Sequence, residues 1–144
     1  GGPLAVDLHQ FTSLLGLALA LFHALILMGD KYIHFNLAVV LTPFASQDYR
    51  PFWVGLGQVA FYLMGIVALS FYVRRRITPR VWRLVHYLSF VTYGLALAHG
   101  IFSGSDSGAA WVRAMYWSSG GLLLFLLAYR LLAANFKVRV SASQ

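Results

Sequence analysis

Four of the five histidines fall into two pairs within apolar stretches, His9 with His23 at a separation of 14 residues and His86 with His99 at 13. An imidazole in the hydrocarbon core of a bilayer is costly, and it is kept there to face a bundle interior, a polar partner or a cofactor. Imidazole is also a common axial ligand of haem iron. At ~1.5 Å rise per residue the members of each pair sit roughly 20 Å apart along their helix, so each helix offers one ligand toward either face of the membrane. If the two helices run parallel, His9 is level with His86 and His23 with His99, a layout that fits two stacked haems. A single membrane histidine reads as an interhelical hydrogen bond or an interfacial residue. Four at nearly matched spacing are hard to obtain from unrelated hydrogen bonds. The fifth, His34, lies in a polar stretch beside Asp30 and Lys31 and reads as a surface residue, with a role at the outer haem edge as the alternative.

The elements that must position these ligands are membrane helices. Hydrophobic residues make up 60% of the 144 and charged residues 10%, far from the mix of a soluble domain. Four apolar stretches, residues 8–28, 52–73, 81–102 and 111–134, reach the ~20 residues that a bilayer helix needs. The expected fold is an all-α integral membrane protein, a four-helix transmembrane bundle over residues 1–144 as a single domain, with haems between spans one and three. Residues 29–51, interrupted by Pro43 and Pro51, are too polar to cross and read as an outer-face lid whose FNLAVVLTPF run lies in the interface. Tyr49, Phe52 and Trp53 fall where an aromatic belt is expected. Gly55, Gly57 and Gly65 in span two permit close helix approach, and Thr78-Pro79 supplies an N-cap and first-turn proline for span three.

The net charge of +7 reports topology rather than nucleic-acid binding, because the basic residues sit at the ends of apolar spans. Arg74, Arg75, Arg76, Arg80 and Arg83 crowd the junction of spans two and three, and Arg130, Lys137 and Arg139 follow span four, whereas Lys31, Arg50 and Arg113 lie on the other side among Asp30, Asp48 and Asp106. The positive-inside rule places the first two groups in the cytoplasm, so spans one and three both run outward. The C-terminus is then cytoplasmic and the setting a bacterial cytoplasmic membrane. Arg80 and Arg83, one turn or so before His86, read either as partners of anionic haem propionates or as topology charges alone.

One geometric point complicates the pairing. At 100° per residue, 14 residues return a helix to within about 40° of its starting face, whereas 13 leave it about 140° away. Span three must then twist locally, through a π-bulge or bend near Gly94, or present its histidines from different sides. Gly94 itself reads as clearance for a porphyrin edge or as an ordinary small residue at a helix contact.

The absence of cysteine excludes disulfides, thiolate ligation and covalent haem attachment through C-x-x-C-H, so any haem is b-type. There is no Glu, which leaves a carboxylate-paired catalytic site to four scattered Asp. The first residue is Gly rather than Met, so the chain is either processed or lacks an N-terminal part.

With H-x13-H in one span, H-x12-H in the span after next, and the run WRLVHYLSF leading into AHG, the chain resembles the ferric reductase-like transmembrane domain. This is the haem-bearing core of ferric reductases, NADPH oxidases and the membrane subunit of the bacterial methionine sulfoxide reductase system. The resemblance extends from about residue 8 to residue 130 and implies that His9 pairs with His86 and His23 with His99. Members usually have a further helix before the first histidine-bearing span, which is not seen here. The larger enzymes add a flavin and nicotinamide domain, and no Gly-rich phosphate-binding loop is present in these residues.

The expected function is a di-haem b-type membrane cytochrome, holding two haem b, that carries electrons across the bilayer to an outer-face acceptor. A separate donor, a flavoprotein or a quinol, delivers them near residues 80–86, and release falls near His23, His99 and residues 29–51. The expected partners are the lipid bilayer, that donor and other membrane subunits, and not nucleic acid. The alternatives are a structural or accessory subunit of a larger electron-transfer complex with partial or no haem, and a quinol-oxidising enzyme subunit.

Overall fold

The computed structural model describes residues 2–30, 33 and 35–142, with side chains through residue 133; Lys31 and His34, and the side chains of Lys137 and Arg139, lie outside the described residues. It is all-α among those residues. Helix α1 is Pro3–Ile26, followed by a 3-10 turn at Leu27–Gly29; α2 is Leu37–Leu41, α3 Pro51–Val73, α4 Pro79–Ser103 and α5 Ala110–Ala142. Four helical stretches are long and apolar enough to cross a membrane, Pro3–Gly29, Pro51–Val73, Pro79–Ser103 and Ala110–Ala133, and the chain is an integral membrane protein. Large apolar side chains such as Phe11, Leu84 and Trp117 are exposed along them, as lipid-facing surface is.

The helix ends follow from their residues. Pro3 at the first helical position, with its φ already helical, starts α1 behind an extended Gly2, five residues before the apolar run begins to read as a span. Thr78 caps α4 by accepting from the Val81 N–H at 3.3 Å, with Pro79 at the first position. Asn36 caps the short α2 through the Val39 N–H at 2.9 Å, and Pro43, which cannot continue a helix, follows its end. The chain then passes through two left-handed residues, Phe44 at φ 63° and Arg50 at φ 39°, before Pro51 opens α3.

Residues 1–104 and 105–144 form two compact units. In the first, α3 packs against both α4 and α1. The α1–α3 approach is set by Gly16, where a Cβ would lie 2.9 Å from the Met64 Cε, and by Gln10, whose amide donates to the Tyr72 hydroxyl at 3.0 Å. Of the span-two glycines, Gly55 and Gly57 are used for close approach, while a Cβ at Gly65 would meet nothing within 4 Å. The second unit is built on α5, which begins at Ala110.

Residues 35–50 are fastened to the ends of α3 and α4 that lie near His99. Gln58 does most of this: its Nε2 donates to the carbonyls of Val39 (2.6 Å) and Val40 (2.9 Å), and its Oε1 accepts from the Phe44 N–H (3.1 Å). Tyr62 donates to the Leu41 carbonyl, Tyr49 donates to the Ser103 carbonyl at 2.7 Å, and Arg50 donates to the Phe102 carbonyl. Trp53 stacks on Phe102 at 4.0 Å, and the Phe44 ring occupies the space that a side chain at Gly55 would take. Four polar side chains thus satisfy backbone groups of this segment and of the end of α4 that would otherwise be left open at the edge of a membrane.

The π-bulge near Gly94 does not form. Helix α4 is continuous from Pro79 to Ser103, because opening the backbone ladder where no water can replace it costs several kcal/mol per unsatisfied group, by order of magnitude.

Candidate functional site

The helices bring the four histidines together two by two and level by level. The His9 and His86 rings have centroids 6.1 Å apart with planes at 76°, and the His23 and His99 rings are 6.3 Å apart at 74°. If each pair held one metal, with metal–nitrogen bonds of about 2.0–2.1 Å, its two rings would lie at about this separation. An edge-to-face ring contact falls in the same range. What distinguishes these pairs is the backbone around them: α1 and α4 scarcely approach one another among the described residues, so the histidines reach toward each other across a gap, twice, at the same separation. His9 and His23 are exposed and His86 and His99 half-buried, as side chains lining an open slot would be.

His99 is the most firmly held. Its Nδ1 lies 2.9 Å from the Trp53 carbonyl. A carbonyl can only accept, so Nδ1 carries the proton and Nε2 is left with a lone pair for a metal; a hydrogen bond of this kind fixes tautomer and orientation in metal-ligating histidines. The ring fits because residue 57 is glycine: a Cβ there would lie 2.5 Å from Nδ1 and 2.7 Å from Cγ of His99. His86 is held differently, by Trp82 stacked on it with centroids 5.3 Å apart and planes at 18°.

Beside His23 and His99 is a cavity of ≈ 190 Å³ lined by α1, α2, α3 and α4, including Ala20, Ala24, Val40, Phe61, Met64, Thr92 and Ala96. Its walls are almost wholly apolar, with small residues on α1 and α4, which suits a flat hydrophobic macrocycle. Among the described residues no group of three or more His, Asp or Glu gathers. The pairs are donor sets of two, which suits a metal whose other ligands come from its own macrocycle. A Cβ at Gly94 would meet nothing within 4 Å, so this glycine faces open space and is not at a helix contact. Arg80 and Arg83 are exposed at the start of α4, on the side of the His9–His86 pair.

The reading of the sequence missed Gln58, Gly57 as the seat of His99, and the Trp53 carbonyl. A glutamine inside an apolar span was the available signal for the first, since a polar side chain there needs partners. Nothing in the sequence marks which glycine faces a histidine.

The fold and the site define a helical membrane protein with two histidine pairs, one toward each end of its helices. The family model described as ferric reductase like transmembrane component matches residues 3–97, and the chain belongs to that family. The match takes in His9, His23 and His86 and ends two residues before His99. Neither the curated proteins nor the solved structures give a match.

Proposed function

We propose that the chain is a di-haem b-type membrane cytochrome, an electron-transfer component that carries electrons across the bilayer between a separate donor, a flavoprotein or a quinol, and an acceptor at the opposite face. The observation that carries this reading is the repeated histidine pair at 6.1 and 6.3 Å. His9 with His86 and His23 with His99 would each hold one haem, and bound haem supplies reversible one-electron chemistry at its iron.

The remaining work falls to the chain's own residues. The Trp53 carbonyl keeps His99 in the tautomer that ligates, and Gly57 admits its ring. Within a bilayer the apolar cavity wall beside His23 and His99 would keep water from those ligands, which with ligand identity is what sets a potential. Arg80 and Arg83 would pair with haem propionates at the His9–His86 end, where charge-assisted hydrogen bonds are strongest. Gly94 leaves room between the two levels. Electron entry is assigned to the basic side, near residues 80–86, and exit to the side of His23, His99 and residues 29–51; the charge distribution supports a cytoplasmic entry side.

A pyridine haemochrome assay on the purified native protein tests the reading. About two b-type haems per chain are expected, with low-spin spectra. No haem would overturn it and favour an accessory subunit of a larger membrane complex.

A further inference from the structure

Among the described residues, two buried side-chain polar atoms have no hydrogen-bond partner, the indole Nε1 of Trp82 and the hydroxyl of Ser103. Both are on α4, and each is four residues outside one of its histidines: Trp82 precedes His86 and Ser103 follows His99. A spacing of four puts each orphan on the same face as its histidine, one turn nearer the membrane surface. Buried donors are almost always satisfied, and both of these groups are donors.

Ser103 differs from five other helical hydroxyls of the chain. Thr12, Ser13, Ser70, Thr92 and Ser118 all donate to a carbonyl three or four residues back, between 2.7 and 3.1 Å, the usual refuge of a hydroxyl in an apolar helix. Ser103 is 8% exposed; its carbonyl accepts from Tyr49, while its hydroxyl has no partner. Trp82 lies flat against His86, so its ring is placed by that stacking while its N–H bonds nothing.

We propose that Trp82 and Ser103 are propionate anchors, one for each haem, their N–H and O–H donating to carboxylates on the membrane-surface edge of the macrocycle. This rests on the di-haem reading above. A haem held by two imidazoles can still rotate about the axis between them; a donor one turn toward the surface, beside each α4 ligand, fixes that rotation. Trp82 and Ser103 are positioning residues, and they also stabilise the carboxylate charge near the iron. Removing either donor leaves that charge less compensated, which favours the ferric state and lowers the potential of one haem alone.

The test is a redox titration of Trp82→Phe, which keeps the stacked ring and loses the N–H, and of Ser103→Ala. The proteins are made without haem and loaded either with haem or with its dimethyl ester, whose propionates are capped. With haem, Trp82→Phe lowers the midpoint potential that is lost in His86→Ala, and Ser103→Ala lowers the one lost in His99→Ala. Each shifts its own site several-fold toward ferric, tenfold being about 59 mV for one electron, and leaves the other unmoved. With the ester, variants and wild type coincide. Unshifted potentials in a wild type that holds two haems overturn the anchors and leave the cytochrome standing, as does a shift that persists with the ester. A wild type that binds no haem removes both.

Discussion

Gly57→Ala adds one carbon at the most constrained point of the site. The new Cβ would lie 2.5 Å from His99 Nδ1, 2.7 Å from Cγ and 2.8 Å from Cε1, against 3.4 Å or more for ordinary contact. The obstacle is a ring, which cannot bend away at one end as a methionine tail can, so the imidazole must move by ~0.9 Å, and the Nδ1 bond to Trp53 at 2.9 Å opens with it. Overpacking of this kind costs about 1–3 kcal/mol. Loss of the hydrogen bond adds about 0.5–1.5 kcal/mol, and displacing a ligand's outer-shell partner typically weakens metal affinity 10–100-fold. Gly57→Ala should therefore lose the haem assigned to His23 and His99 and keep the other. Gly65→Ala, one helix face away with nothing within 4 Å of its Cβ, is the control and should keep both. Haem content and a potentiometric titration of detergent-purified protein read the outcome. Two haems with unchanged potentials in Gly57→Ala would refute the placement of His99 against α3, and loss of the haem held by His9 and His86 would refute the assignment of levels.

Single-cysteine labelling checks the orientation, in a chain without native cysteine: a cysteine at Ser105 should react only from outside the cell and one at Arg76 only from the cytoplasm, and the reverse pattern would exchange the entry and exit sides. Gln58→Leu removes three bonds to the backbone of residues 39–44, two of them part-buried and one exposed, and a hydrogen bond contributes about 0.5–1.5 kcal/mol. Limited proteolysis of the protein in vesicles should then cut within residues 35–48 much faster than in wild type; equal rates would show that this segment is held by other means. His34→Ala should keep both haems, and loss of either would place a ligand outside the two pairs.

What was legible in the sequence was what depends on local pattern. The four spans follow from hydropathy, α4's start from Thr78-Pro79, and the level pairing of His9 with His86 and His23 with His99 from nearly equal separations and the charge-derived parallel run of their helices. Pro3 extended α1 beyond the span that hydropathy marks, because a helix start depends on capping rather than on apolarity. A π-bulge or bend near Gly94 was one of two ways to reconcile a 13-residue separation with the pairing, the other being histidines presented from different sides; α4 runs as unbroken α-helix, since rotation alone ignores the expense of opening a helix in lipid. Gln58, Gly57 and the Trp53 carbonyl act across 14 to 46 residues of sequence, and such contacts exist only once α3 and α4 are packed.

The measurement that bears most directly on the account is the haem complement of the four single histidine variants. His9→Ala and His86→Ala should lose the same haem, with one matching spectrum and the same missing midpoint potential, and His23→Ala and His99→Ala should lose the other, since each intact pair, roughly 20 Å away along the same helices, keeps both its ligands. If His9→Ala matched His99→Ala instead, or if all four variants kept both haems, the paired-histidine site would be wrong.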